Sequence, residues 1–249
     1  MITHNFKVRF LQVLTHLALF GGIAYCVMTS NYMLLLVSLL IYWTIGTLGV
    51  NVGYHRLLSH RSYKTYKPIE YFLSLCGLLT TIGSPLAWVA LHRQHHAHAE
   101  TEKDPHSPYQ IGWFRAWFGF WNVEKIKTFY IKDLKKEKFY RYTHKYYLTI
   151  IVLYNLLLFA INPIYPIFLY AIPAVLVLHS TSAIIVIAHM HGYKSYKISD
   201  ESRNSWIANL ITLGEGWHNN HHAKPNNWKQ GEKWWEWDLP AQIIKVIKR

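Results

Sequence analysis

Histidine dominates the residues of this sequence that are able to do chemistry. Sixteen of the 249 residues are histidine, and most of them fall in four short groups. The stretches HRQHH and HNNHH each place three imidazoles at positions i, i+3 and i+4, which lie on one face of a helix. Imidazole is the commonest side-chain ligand of metal ions, so these stretches predict metal binding. The four groups are His55 and His60; His92, His95 and His96; His189 and His191; and His218, His221 and His222.

The number of grouped histidines predicts a site for two metal ions. One residue from the pair His189 and His191 brings the set to nine. A single zinc ion takes four ligands, whereas nine imidazoles fit two ions with four or five each. Neutral imidazole suits iron, zinc, copper and nickel alike, so the residue types do not identify the metal. His55 and His60 lie about 140° apart on a straight α-helix, and we expect the helix to end or bend there.

Charged residues are missing from two long stretches, which must supply the elements that position the histidines. No Asp, Glu, Lys or Arg occurs between Phe10 and His55 or between Tyr146 and Tyr193. One membrane crossing needs about 20 apolar residues, so each stretch predicts two helices joined by a turn. The predicted fold is an all-α integral-membrane protein, a single domain over residues 1–249 with four transmembrane helices in two hairpins. These helices are predicted at residues 10–29, 32–54, 146–161 and 164–190.

The charges outside these helices predict which side of the membrane they face. Two hairpins return the chain to one side, so residues 55–145, residues 191–249 and both termini share that side, and their flanks are basic. By the positive-inside rule that side is cytoplasmic, and the histidine groups fall in it, in a predicted helical cap. The net charge of +13 then has an explanation at the membrane surface, and we expect no nucleic-acid partner. A further crossing by the apolar stretch Tyr71–His92 would separate the histidines, so this stretch is predicted to be peripheral or re-entrant.

The three histidine-rich stretches resemble the histidine boxes of a known enzyme family. HRLLSHRSY, HRQHHAHAETEKDPHSP and GEGWHNNHH are similar to the three boxes of the integral-membrane fatty acid desaturases, above all the Δ9-type group of acyl-CoA and bacterial acyl-lipid desaturases. The resemblance implies a non-haem di-iron centre, in which zinc would be an artefactual occupant. Carried over by position, the nine ligands are His55, His60, His92, His95, His96, His189, His218, His221 and His222.

The resemblance also implies the reaction and its participants. The substrate is a fatty acyl chain on a glycerolipid or on CoA, and O2 is the co-substrate for forming a cis double bond. The sequence has no haem-attachment, iron–sulfur or dinucleotide motif, so an external donor such as a ferredoxin or cytochrome b5 must supply the electrons. These carriers are typically acidic, and a lysine-rich stretch would attract one or, equally, would contact anionic lipid. Its lysines are Lys125, Lys127, Lys132, Lys135, Lys136 and Lys138.

One position departs from the family pattern. The family has an asparagine, which reaches a metal through water, four residues before the histidine that matches His189. This sequence has Ile185 there. The side chain of isoleucine neither donates nor accepts a hydrogen bond. Either another group holds that water, with His191 the nearest candidate, or one iron has a more open site. The departure keeps open an alternative on the same scaffold, a di-iron hydroxylase or related oxygenase.

Other residues are predicted to support the metal site. Asp104, Glu215, and Asn219 or Asn220 are candidates to orient the imidazoles through hydrogen bonds. Trp88 and Trp217 are candidates to line an acyl tunnel or, equally, to anchor the protein at the membrane interface.

The remaining histidines are predicted to serve other purposes. His16 and His179 fall within predicted membrane helices and are interpreted as packing residues with satisfied hydrogen bonds. His4, His98, His106 and His144 are interpreted as surface or local hydrogen-bonding groups. A membrane metal transporter is a remote alternative, because transport would place ligands at the bilayer midplane rather than outside it.

Overall fold

Helices are the main secondary structure in the part of the chain that the computed structural model describes, residues 4–121 and 127–249 with side chains from Phe6 onward. Lys125 of the lysine-rich stretch lies outside the described residues. Within them, β-type pairing is limited to two isolated bridges, Tyr193 with Asn204 and Asn204 with Trp217. The helices are α1 His4–Thr29, α2 Met33–Ser59, α3 Lys67–Leu78, α4 Pro85–His98, α5 Pro108–Ile111, α6 Trp113–Trp117, α7 Lys138–Lys145, α8 Tyr147–Ile161, α9 Pro166–Met190, α10 Trp206–Thr212, α11 His218–Ala223 and α12 Leu239–Ile247.

Three of the described helices, α1, α2 and α9, are long and apolar enough to cross a membrane. Their bounds agree with three of the four predicted spans to within a few residues at most ends. The fourth predicted span corresponds to α8, which has only 15 residues and follows α7 after a bend of 72°. Large apolar side chains on α1 and α8 are exposed, as expected where lipid rather than protein covers a helix. The apolar helices indicate a membrane protein.

Helices α2 and α9 form the centre of the fold. Helix α2 packs against α3, α4 and α12, while α9 packs against α1, α6, α10 and α11. The two central helices also contact each other, and α9 is buried along most of its length, as its continuous apolar sequence requires. The histidine-containing helices α4 and α11 therefore pack against the two central helices, α4 against α2 and α11 against α9.

The second half of α2, residues Ile45–Ser59, is wound as a π-helix. The backbone N–H of His60 donates to the carbonyl of His55 at 3.1 Å, a bond between residues five apart. Winding of this kind stacks residues i and i+5, so the two imidazoles converge with ring centroids 4.9 Å apart. The expected end or bend at this pair is thus in part a change of helical winding that begins ten residues earlier.

The predicted peripheral stretch Tyr71–His92 belongs to two helices rather than one. A turn between α3 and α4 includes Gly83, whose φ of +117° is costly for residues other than glycine. Helix α3 lies directly on the π-wound part of α2, since a Cβ at Gly49 would stand 2.2 Å from the backbone nitrogen of Gly77. Neither α3 nor α4 is long enough to span a membrane, which agrees with the argument that this stretch adds no crossing.

Candidate metal centre

The structure brings nine histidines together as two adjacent sets. In each set, one ring nitrogen from every member lies within 4.8 Å of those of all the others. We call them the five-histidine set and the four-histidine set. The first consists of His55, His60, His92, His96 and His221, and the second of His95, His189, His218 and His222. The members are the nine residues predicted from the sequence, with His189 rather than His191 taken from its pair.

The two helical triplets are divided between the sets in opposite ways. On α4, His92 and His96 join the five-histidine set while His95 joins the other. On α11, His218 and His222 join the four-histidine set, and His221 crosses to the five-histidine set. Residues i and i+4 project together, whereas i+3 is rotated away by about 60° from i, so two facing helices share both sites. Each set therefore takes histidines from both helices.

Four of the nine imidazoles are fixed by a carboxylate on Nδ1. The pairs are His55 with Glu215 (2.5 Å), His95 with Asp104 (2.8 Å), His189 with Glu100 (2.6 Å) and His222 with Asp200 (2.8 Å). A carboxylate accepts the Nδ1–H, so in the neutral ring the lone pair is on Nε2. Each of these rings therefore presents a metal-ligating atom toward its own set.

The converging nitrogens fit a cation better than they fit hydrogen bonds among themselves. The Nε2 atom of His221 lies 3.0 Å from the Nε2 atoms of both His55 and His96. One imidazole nitrogen has either one proton or one lone pair, so it cannot bond well to both. Two imidazoles at right angles on one ion at about 2.1 Å would have their nitrogens about 3.0 Å apart. Nε2 of His222, whose Nδ1 is bonded to Asp200, is also buried without a hydrogen-bond partner among the described residues.

Several histidines of the two sets are held in the neutral form that binds metals. Burial, reinforced by neighbouring imidazoles, lowers the pKa of His92, His96, His218 and His221 well below the ordinary value. Burial likewise lowers the pKa of His222 to about 4, although Asp200 opposes this. A metal ion then needs to displace few protons near neutral pH.

The carboxylates of the site are held in the charged form. Burial raises the pKa of Glu215, but the charge of Arg56 and the contact with His55 outweigh it and lower the pKa to about 2. Burial raises the pKa of Asp104, but the hydrogen bond and charge interaction with His95, together with those of His106, outweigh it and hold this pKa well below its usual range. Both carboxylates therefore remain acceptors for imidazole N–H groups at physiological pH.

The predicted supporting residues divide into two classes. Glu215 and Asp104 hydrogen-bond directly to imidazoles, as expected. Asn219 instead accepts from the backbone nitrogens of Ser195 and Tyr196 at 2.8 and 2.7 Å. Asn220 donates to Gln230 O and Glu236, so both asparagines hold loops together instead of orienting imidazoles. His191 ends α9 with an exposed side chain outside both sets, away from the position proposed for it.

Sequence reasoning missed several residues that build the site. Glu100 and Asp200 are hydrogen-bonded to histidines of the four-histidine set. Arg56, only 1% exposed, forms ion pairs with Glu215 and Asp238. Asn204, fully buried, accepts through Oδ1 from the backbone nitrogens of Asn219 and Asn220 and thereby caps α11. A signal was present, because the chain has only 13 acidic residues and several fall beside the histidine groups.

A cleft between α2 and α9 leads to both histidine sets. Its empty volume, open mouth included, is about 830 Å³. Apolar side chains such as Val50, Val177 and Ile184 form much of its wall, and His55, His92 and His189 are among the histidines that line it. An elongated apolar ligand fits such a wall.

Only one of the two tryptophans predicted to line an acyl tunnel lies at the cleft. Trp88 lines the cleft, as expected of a tunnel residue, and Ile185 lines it one helical turn before His189. Trp217 does not line it: the side chain is fully buried, packs edge-on against Trp206 and donates to the carbonyl of Trp237. The prediction of Trp217 as a tunnel residue is therefore replaced by a role in packing the segment before α11.

The histidines outside the two sets have different surroundings. His16 and His179 bond to each other at 3.1 Å within the helices, and Trp117 Nε1 donates to His179 Nδ1, which confirms them as satisfied packing residues. His106 is not a surface group. It is buried with its ring centroid 4.5 Å from that of His95, and it lines the cleft. The side chain of His4 lies outside the described residues.

Comparison with known proteins identifies the family of this chain. The sequence profile described as "Fatty acid desaturase" matches residues 30–240. The chain is 34% identical to a protein named sn-1 stearoyl-lipid 9-desaturase of Anabaena variabilis, over 97% of this chain and 91% of the relative. It is 37% identical to Delta-9 acyl-lipid desaturase 2 of Arabidopsis thaliana (84% of this chain, 70% of the relative). It is 32% identical to an acyl-CoA 5-desaturase of Anemone leveillei (94% and 76%). The chain belongs to the fatty acid desaturase family.

Proposed function

We propose that this protein is an O2-dependent acyl desaturase of the Δ9 type, built on a non-haem di-iron centre. The observation that carries the proposal is the convergence of nine imidazoles, in sets of five and four, beside an apolar cleft. Relatives named as 9-desaturases of stearoyl-lipid and acyl-lipid support the position of the double bond. The substrate is a saturated acyl chain carried by a glycerolipid or by CoA, and the product contains a cis double bond.

The chemistry needs a cofactor because no side chain removes hydrogen from an unactivated methylene. A di-iron pair supplies this O2-dependent oxidation when bound. Two hydrogens leave adjacent carbons, and O2 with two external electrons and two protons ends as two molecules of water. The residues of this chain hold and orient the ions, keep the imidazoles neutral and place the acyl chain.

The ligands we assign to the two irons are the two histidine sets. Asp104, Glu100, Asp200 and Glu215 orient four of these imidazoles by accepting the Nδ1 hydrogen. Such partners are typically worth about 10–100-fold in metal affinity or activity. The acyl chain lies along the cleft wall formed by α2 and α9, with Trp88 beside the histidines.

The finer arrangement in the membrane is also a proposal. We infer one membrane domain over residues 1–249, with α8 as the fourth crossing, so that α1 and α2 form one hairpin and α8 and α9 the other. Both termini and the histidine sets then share the cytoplasmic side, where the flanks are basic.

The electrons come from an external carrier, a ferredoxin or cytochrome b5. Five lysines of the lysine-rich stretch are exposed: Lys127, Lys132, Lys135, Lys136 and Lys138. Their charge would attract an acidic carrier and raise its rate of association, an effect that weakens with salt.

Ile185 supports the second candidate, an acyl hydroxylase. It lines the cleft beside the four-histidine set, and its side chain contributes no polar group there. The cleft and ligands are common to both reactions, so the product distinguishes them: a hydroxyl group retained on the acyl chain identifies the hydroxylase.

The test is expression in a host with a compatible electron donor, followed by mass spectrometry of derivatised total fatty acids. His92→Ala and His221→Ala should abolish a new monounsaturated product, while His191→Ala, at an exposed histidine outside both sets, should retain it. A protein that binds two irons and forms no product from any acyl donor or carrier would contradict the proposal.

A further inference from the structure

The carboxylates behind the imidazoles are distributed unequally between the two histidine sets. The four-histidine set has three of them, one on each of His95, His189 and His222. They are Asp104, Glu100 and Asp200, with exposed side-chain fractions of 0%, 13% and 13%. Each accepts a hydrogen bond from Nδ1 and therefore places its negative charge directly behind a ligand of this set.

These three charges have no basic partner among the described residues. No Lys or Arg nitrogen there forms an ion pair with Asp104, Glu100 or Asp200. Lys194 does reach the backbone carbonyl of Asp200, but its ion pair is with Glu201. The negative charge of the three carboxylates is thus available to a cation in the four-histidine set.

In the described part of the chain, the five-histidine set has one such carboxylate, and its charge is shared. Glu215 accepts from His55, but it also pairs at 2.8 Å with Arg56, which is buried. Arg56 pairs in addition with Asp238. With two carboxylates and one guanidinium, this group has a net charge of −1, whereas the three carboxylates behind the four-histidine set sum to −3.

The difference matters because neutral imidazoles bring no charge to a buried cation. A divalent ion removed from water is stabilised by negative charges close to it, and burial strengthens their effect. The five-histidine set has one more imidazole, but the four-histidine set has three uncompensated carboxylates. We propose, on the basis of the di-iron centre of the proposed function, that the four-histidine set binds its metal ion more tightly than the five-histidine set.

Stepwise removal of metal from the purified holoprotein tests this order. The protein would be loaded with Fe(II) in detergent without O2, exposed to chelators of increasing strength, and assayed for metal per chain by mass spectrometry. The expected result is loss in two steps, with a plateau at one ion per chain. Loss of both ions in a single step would overturn the proposal.

Variants in each set identify which ion is held longer. His60→Ala affects only the five-histidine set, so the ion that remains should resist chelation as strongly as the tighter ion of the unsubstituted protein. His218→Ala affects only the four-histidine set, so its remaining ion should leave with weak chelators. The reverse pattern would overturn the proposal.

A substitution that changes charge while keeping shape separates electrostatics from geometry. Asp200→Asn should weaken the tighter step by about 10–100-fold and leave the looser step unchanged. Glu201→Gln is the matched control, because this neighbouring carboxylate is 46% exposed and pairs with Lys194 rather than with an imidazole. A change in both steps, or in neither, for Asp200→Asn would contradict the role of charge.

The chelation experiment distinguishes failure of the proposed order of metal affinities from failure of the proposed function. A protein that binds no metal would refute the di-iron centre itself. A protein that binds two ions and forms the expected product, but releases both ions together, would refute only the order of affinities.

Discussion

Helices α4 and α11 contain the same histidine spacing but are anchored by different means. Helix α4 is a regular helix of 14 residues whose first turn is capped by its own Ser84, which accepts from the nitrogen of Ala87. Helix α11 has six residues and no cap of its own, and the distant Asn204 serves instead. Short helices are marginal by themselves, so α11 depends on the segment packed around it. Equal spacing in the sequence therefore conceals unequal structural support.

The largest expected effect tests whether the histidines act by set or by helix. His96→Ala and His221→Ala lie on different helices but in one set, so the double variant should lose no more metal than either single variant. His96→Ala with His218→Ala affects both sets and should lose both ions and all activity. Metal per chain, measured by mass spectrometry, distinguishes the two cases. Equal losses from both double variants would show that the sets are not independent.

The next effect tests the segment that leads into α11. A Cβ at Gly216 would lie 2.2 Å from the nitrogen of Asn209 and 2.3 Å from the carbonyl oxygen of Ser205. Because these are backbone atoms, Gly216→Ala should displace α11 and cause loss of metal and of folded protein in size-exclusion chromatography. Gly21→Ala is the control, since nothing lies within 4 Å of its Cβ. A Gly216→Ala protein with full metal content would show that α11 tolerates the shift.

The two caps should differ in their contribution to stability. Asn204→Ala removes hydrogen bonds to two backbone nitrogens and to the side chains of Asn220 and Ser195, all in a buried site, and should cost about 3 kcal/mol. Ser84→Ala removes the hydrogen bond to the nitrogen of Ala87 and the bond between its hydroxyl and His144 Nδ1, and should cost less, about 2 kcal/mol. Thermal denaturation in detergent measures both. Equal costs would contradict the unequal support of α4 and α11.

Lowering the pH should decrease the free energy of unfolding of the metal-free protein, whether a buried histidine lies in α11 or between helices. Burial lowers the pKa of His106 to about 3 and that of His222 to about 4. The unfolded chain, with ordinary values near 6.5, then binds more protons, so stability present above pH 6.5 is lost as the pH falls. Each residue should contribute about 2 kcal/mol of loss between pH 7 and pH 5.

His106→Gln provides the control for this effect, because it removes one titrating group and leaves His222 in place. The loss of stability between pH 7 and pH 5, measured as a shift in melting temperature, should become smaller in this variant. An unchanged melting temperature of the unsubstituted metal-free protein over this range would contradict the prediction.

The sequence was sufficient for some levels of the structure but not for others. The charge-free stretches predicted the bounds of three apolar helices, because the bilayer imposes a length that composition reveals. Spacing and family resemblance together identified the histidines that converge. Their division between two sets depends on how α4 faces α11, which local spacing does not contain.

Long-range hydrogen bonds account for most of what was missed. Glu100 and His189 are 89 positions apart, and Arg56 meets Asp238 across 182 positions. No periodicity links residues at such separations, so only the folded chain pairs them. Trp217 and Asn219 were misjudged for a related reason, since proximity in sequence to a ligand does not determine the direction of a side chain.

The close contact between α3 and α2 has a consequence for how the metal site is maintained. A π-helix is rarely stable over 15 residues, and here Tyr54 lies so near Gly77 that a Cβ there would be 2.5 Å from its ring. Helix α3 has no histidine of either set, but its close packing supports the π-helical backbone that brings His55 and His60 together. The relative position of these two imidazoles therefore depends on how α3 packs against α2. A methyl group added at Gly77 of α3 would displace Tyr54 and, with it, the backbone that positions His55 and His60.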